Sequence, residues 1–282
     1  MIFRPICAAA LTFLLAGCAG HRVIRPGRGL VPRPTAAPFD PRVPDFAAKP
    51  YQPFSREDAV AIAMREWRLF GEPVDDDPPG LRPVPPPELK PEREPGLWQR
   101  VGEYWFIGQD PELREGAWTG MHDEYGNLFP ADQDDRYAWS AAFISYVMRI
   151  DGAGARFPYS PNHAAYIDVA ADMALGRTSG YVVTAERPSA YAPQLGDLIC
   201  FARGRSAGLR FDDLPAPAFP AHCAIVVQVT PGQLAVIGGN VDDAVTLTHV
   251  PVTEQGTLAG PDGGVLDTRY PWMVVLRVLY DR

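Results

Sequence analysis

Tyr137-Ala138-Trp139-Ser140-Ala141-Ala142-Phe143-Ile144-Ser145-Tyr146-Val147-Met148-Arg149-Ile150 is the stretch on which the fold turns. Apolar side chains at 139, 142, 143, 146, 147 and 150 recur at helical spacing, which predicts a helix buried over most of its surface. The acids Asp132, Asp134 and Asp135 precede it, and Gly152 and Gly154 close it. Ser140 falls in the first turn. A serine there is a nucleophile if a base reaches it, and ordinary first-turn capping chemistry if none does.

Upstream, Leu97, Trp98, Val101, Tyr104 and Trp105 predict an amphipathic helix over 97–107. Ser55 is placed to cap a further helix running to Phe70, with Glu57 and Asp58 in its first turn and Gly71 as its stop. Residues 72–96 are rich in proline and acid, notably Asp75-Asp76-Asp77-Pro78-Pro79 and Pro85-Pro86-Pro87, and predict an irregular excursion. Trp118 to Phe129 predicts an aromatic, turn-rich loop. Downstream, 162–175 offers another helix, with His163, Tyr166, Ile167 and Ala170 along one side. From Gly180 the period changes to that of strands, at 197–203, 222–229, 233–238, 244–250 and 272–280. Helices first and an antiparallel strand series second make the fold class α+β. Residues 55–282 then form a single domain, 55–130 as a helical N-terminal extension and 131–282 as its core. The aromatics of the extension (Trp67, Trp98, Tyr104, Trp105, Trp118) either pack behind the core or wall a cleft.

The first seventeen residues stand apart. Arg4 is followed by an apolar run, Ile6 to Leu15, too short to span a bilayer as a stable helix. It ends in Leu15-Ala16-Gly17-Cys18, which is similar to the lipobox of bacterial lipoproteins. The resemblance implies that 1–17 is a cleaved signal peptide and that Cys18 is lipidated, which would anchor the chain to a membrane. Ala19 in place of aspartate implies sorting to the outer membrane, facing the periplasm. Residues 18–54 predict a Pro/Arg-rich tether, since Pro26, Pro32, Pro34, Pro38, Pro41, Pro44, Pro50 and Pro53 forbid continuous secondary structure. Its arginines (22, 25, 28, 33) either rest on anionic head groups or wall polymer or are simply solvated. The formal net charge of −8 opposes a nucleic-acid partner.

Export leaves Cys200 and Cys223, each in a strand-like run. If those strands pair, a cross-strand disulfide is feasible in an oxidising compartment; otherwise two thiols are buried. No Cys/His spacing suggests a metal site, and no cofactor is expected.

Trp139-Ser140-Ala141-Ala142-Phe143 resembles the Trp-Cys-Ala-Ala-Phe helix start of CHAP-type amidohydrolase/peptidases, relatives of the NlpC-type wall peptidases in the papain-like group. Pro193-Gln194-Leu195-Gly196-Asp197-Leu198-Ile199 is similar to the turn and strand that follow in that family. His222-Cys223-Ala224-Ile225-Val226 falls where its catalytic histidine opens a strand, and Val236-Ile237-Gly238-Gly239-Asn240 where its third polar residue lies. The matches come in family order across 137–250. They imply a papain-like fold, with a central helix on an antiparallel sheet and a site of Ser140, His222 and Asn240. Trp139, His163 and Asp197 are cleft candidates. Peptidoglycan is the implied partner.

The departure is at Ser140, where the family has cysteine. A helix N-terminus and a nearby histidine can hold a thiolate, because a free thiol titrates at about 8.5. A serine hydroxyl is far too weak an acid for that, and would need His222 to take its proton during attack, with Asn240 orienting the imidazole. Two functions follow as expectations. One is a wall amidase or endopeptidase acting through Ser140, His222 and Asn240. The other is a non-catalytic module that binds wall peptide or an envelope partner protein. Asp242 and Asp243 read as exposed turn acids.

Overall fold

A computed structural model describes residues 53–78, 86, 89–110, 116 and 118–281. The expected signal peptide at 1–17, Cys18, nearly all of the expected tether at 18–54 and part of the 72–96 excursion lie outside the described residues. The described residues contain four α-helices, α1 (Arg56–Leu69), α2 (Leu97–Ile107), α3 (Ser140–Ile150) and α4 (His163–Ala174). Six strands follow: β1 (Val183–Glu186), β2 (Leu198–Ala202), β3 (Ala221–Thr230), β4 (Gln233–Val241), β5 (Ala244–Pro251) and β6 (Trp272–Val278). The fold is mixed α+β.

Local chemistry sets the helix starts. Ser55 Oγ accepts from the Asp58 amide at 3.1 Å, and Asn162 Oδ1 from the Ala164 amide at 3.0 Å, each satisfying an otherwise orphaned donor. The central helix begins later than its apolar pattern predicts. Residues 131–137 form a 3₁₀ run, and Ala138 (φ −58°, ψ 117°) breaks helical geometry before Ser140. Ser140 is therefore the first helical residue, behind a Trp139 cap that makes no side-chain hydrogen bond.

The strands form one antiparallel sheet in the order β1-β6-β2-β3-β4-β5. Side chains alternate between its faces. Ala221, Cys223 and Ile225 of β3 turn toward α3 and α4 and join their core, whereas Ala224 and Val226 join a second core with Phe201, Val236, Val250 and Trp272. The sheet is thus covered on both sides, by helices on one and by the 187–196 and 251–271 connections on the other. Strand β1 is absent from the sequence-based expectation. It is four residues long and meets its partner, β6, only through the far end of the chain.

The N-terminal segment supports the central helix from behind. Tyr104 of α2 packs its ring 5.5 Å from Trp139, 5.4 Å from Phe143 and 5.0 Å from Tyr146. Trp67 Nε1 donates to the Pro73 carbonyl at 2.7 Å. The chain's entry is fastened as well. The Phe54 amide donates to Asp281 Oδ2 at 3.1 Å and the Asp281 amide returns a bond to Phe54 O at 2.9 Å. The Phe54 and Tyr280 rings lie 4.6 Å apart, and Arg156 Nη1 donates to Asp281 Oδ1 at 2.7 Å.

Asp151, at the far end of α3 from Ser140, accepts from the Ser55 amide at 3.2 Å. Burial, reinforced by Asp58, Asp281 and Glu57, pushes its carboxyl up from 3.8 to about 7. The folded state therefore holds a proton that the unfolded chain releases near its ordinary value. Stability is lost as pH rises between the two and stays lost above them. Asp151→Asn removes this ionisation. The variant is expected to gain more than about 1 kcal/mol over wild type near pH 8 and little near pH 4. Thermal melts at the two pH values check this, and equal differences at both would contradict it.

Candidate functional site

The N-termini of α3 and α4 bring Ser140 and His163 together. Ser140 Oγ lies 2.7 Å from His163 Nε2, and His163 Nδ1 is hydrogen-bonded to the Tyr166 hydroxyl one turn further along α4. All three residues are buried. Burial holds the imidazole well below its usual range, and its electrostatic interactions with His222 and Arg203 act in the same direction. Burial likewise raises Tyr166, so both groups are neutral near pH 7.

His222 does not hold that place. By alternation it belongs with Ala224 and Val226, on the sheet face turned from α3. Its Cα pairs with that of Phe201 across the β2–β3 ladder, and the two rings lie 5.6 Å apart. At the strand end its ring also comes 5.5 Å from that of His163. His222 is thus the point at which the buried serine cluster meets a cleft of about 440 Å³ on the other face.

Phe201, Tyr270 and Trp272 give this cleft aromatic walls, while Arg203, Arg269, Asn240 and Thr248 supply polar groups. Arg269 is set rigidly, donating from Nε to Asp267 Oδ1 at 2.9 Å and from Nη2 to the His249 carbonyl. Trp272 Nε1 donates to the other oxygen of Asp267 at 3.1 Å. Gly238 and Gly239 of β4 permit close approach on the two faces. A Cβ at Gly238 would stand 2.7 Å from His222 Nε2, and one at Gly239 would stand 2.6 Å from Phe143 Cβ in α3. Asn240 follows with φ 54°, where the β4–β5 pairing shifts register, and lines the cleft. Asp242 and Asp243 (φ 53° and 57°) form the two-residue turn into β5. Asp242 is exposed there, and Asp243 is half-buried and pairs with Lys90 at 3.3 Å.

The structure therefore divides the residues expected to act together. His222 and Asn240 share the cleft, while Ser140, His163, Trp139 and Asp197 are not among its lining residues. Trp139 is core: its Nε1 donates to Glu92 Oε2 at 2.6 Å, and its ring stacks on Phe70. Asp197 is fully enclosed and accepts from Tyr191 Oη, the Gln194 amide and the Val278 amide, a turn-fastening role. Cys200 and Cys223 sit opposite each other in the β2–β3 ladder, and their sulfurs are bonded at 2.08 Å on the face toward the helices. Among the described residues no group of three or more His, Cys, Asp or Glu side chains could hold a metal ion.

Sequence reasoning did not assign a role to Tyr166, nor to the aromatic and arginine walls of the cleft. The spacing His163-x-x-Tyr166 carried the first, because residues three apart share a helix face. The walls come from β2, β6 and the loop before β6, so no local signal announced them.

A buried serine at the head of a helix, laid on one face of a six-stranded antiparallel sheet with a cleft on the other, defines the class of domain. Over residues 92–278 the chain matches the family described as "Uncharacterized protein conserved in bacteria (DUF2272)", and it belongs to that family. The match starts at Glu92, the residue that holds the Trp139 indole. No curated protein and no solved structure matches the chain.

Proposed function

We propose that this is a lipid-anchored envelope protein whose papain-like domain binds wall peptide or an envelope partner protein in the cleft beside His222 and Asn240, without cleaving it. The observation that carries the reading is the separation of the two candidate halves. Ser140 is tied to His163 beneath the α3–α4 junction, and the cleft that holds His222 and Asn240 opens on the other sheet face. The papain-like assignment draws support from the order of α3, the Gly196-Asp197 turn into β2 and His222 in β3. Anchoring rests on the Leu15-Ala16-Gly17-Cys18 motif. Among the described residues no helix is long and apolar enough to cross a membrane.

One observation favours a second reading. Ser140 Oγ at 2.7 Å from His163 Nε2, in the first turn of a helix, is the contact a serine amidase or endopeptidase needs, with His163 rather than His222 as base. Zymography and pull-down on purified peptidoglycan separate the two readings, using the full chain with Ser140→Ala, Ser140→Cys, His222→Ala and Asn240→Ala. We expect no clearing by wild type. Capture is expected to be unchanged in Ser140→Ala and weakened by about tenfold in His222→Ala or Asn240→Ala. Lysis by wild type that disappears in Ser140→Ala would overturn the binding reading. Lysis only by Ser140→Cys would mark a site that retains geometry without its nucleophile.

A further inference from the structure

We propose that Tyr166 is a positioning residue: it donates its phenolic proton to His163 Nδ1 and so holds the imidazole in the Nε2–H tautomer, in which His163 donates to Ser140 Oγ instead of receiving its proton. A neutral imidazole carries one N–H and one bare nitrogen, so only one of the two flanking hydroxyls can donate to it. Both nitrogens are engaged, Nδ1 by Tyr166 and Nε2 by Ser140. The hydroxyl that does not donate to the ring must place its proton elsewhere.

Two facts decide which hydroxyl donates. Tyr166 is fully enclosed (0% exposed), and His163 Nδ1 is its hydrogen-bond partner among the described residues, whereas Ser140 keeps 4% of its surface open. Withholding the phenolic proton from the ring would strand it in apolar surroundings, the more costly of the two arrangements. A phenol, titrating at about 10, is also a far stronger acid than an alcohol and so the stronger donor to an imidazole nitrogen. Both arguments place the ring proton on Nε2.

The chemical consequence concerns Ser140. In catalytic serine–histidine pairs the ring's far nitrogen carries the proton and donates it to a carboxylate or amide oxygen, which leaves Nε2 bare to receive the serine proton. Here a donor stands where that acceptor would be. Contact between Ser140 and His163 is retained, and proton transfer is directed the wrong way for attack. The inference deepens the non-catalytic reading of Ser140 and rests on it for its meaning. Its failure is distinguishable, because the tautomer and ligand capture in the cleft are measured separately.

The test is the ¹⁵N spectrum of the full chain labelled at histidine. The chain has five histidines, and the His163 ring is assigned through its contacts to Tyr166. We expect a protonated Nε2 and a bare Nδ1, unchanged between about pH 5 and pH 8, the window in which an ordinary imidazole titrates. In Tyr166→Phe the Ser140 hydroxyl becomes the remaining donor to the ring, and the population is expected to move toward Nδ1–H. A protonated Nδ1 in the wild type would overturn the proposal. So would an identical tautomer in folded Tyr166→Phe. Should that variant not fold, the wild-type spectrum decides alone.

Discussion

Glu66→Ala is expected to be the most damaging single change in the described part of the chain, costing about 3–5 kcal/mol. The carboxylate side chain is 0% exposed and lies between α1, α2 and α3. It accepts from Arg100 Nε at 2.6 Å and from Tyr104 Oη at 2.7 Å. Arg100, 13% exposed, is hydrogen-bonded to Tyr146 of α3 as well. Its guanidinium is held above its ordinary range despite burial, because Glu66 and the two phenols offset the loss of solvent. Removing Glu66 leaves that cation with the neutral Tyr146 hydroxyl and with Glu103, a half-exposed carboxylate worth little. For a domain of this size the expected fall in Tm is about 10 °C. The control is Glu66→Ala combined with Arg100→Met, which removes both charges and should recover much of the loss. If single and double variants melt alike, the stranded charge is not the cause.

Breaking the Cys200–Cys223 link is expected to cost about 3 kcal/mol, from the chain entropy released by a loop closed over a sequence separation of 23. Paired alanines at the two positions are the suitable variant, since both sites are fully buried and a stranded thiol would confuse the comparison. The measurement is chemical unfolding of the variant against wild type. A companion test is the intact mass of the non-reduced protein, two hydrogens lighter than its fully reduced form. Equal unfolding midpoints would show that the cross-link adds nothing to a ladder already fixed by β2–β3 pairing.

Much of the framework was legible because its signals are local. Ser55 and Asn162 announce helix starts by capping, and 97–107 by period. The strand pattern after Gly180 locates five of the six strands to within a few residues. What the sequence did not disclose depends on long-range placement. Strand β1 is too short to stand out and exists because β6 returns to it. The segment 55–130 was legible only as a helical extension of the same domain, and its part in the packing that holds α3, through Glu66, Arg100 and Tyr104, was not. The candidate site divided for a related reason. The motif order that grouped Ser140, His222 and Asn240 states which elements adjoin, not which sheet face a side chain takes. The two-residue period of β3 sends His222 away from α3, while α4, whose contribution looked secondary, brings His163 to the serine.

The fastening of Phe54 to Asp281 has a mechanical meaning. The segment just ahead of α1 is joined to the residues just beyond β6 by two backbone-involving hydrogen bonds and a ring contact, and Arg156 braces the carboxylate. Any pull arriving along the chain ahead of Pro53 is therefore delivered to both ends of the fold at once. The load spreads into α1 and, through Tyr280, into the β6 side of the sheet before α3 or the cleft feels it. Under such a load the fastening between Phe54 and Asp281 bears the force before the cleft does.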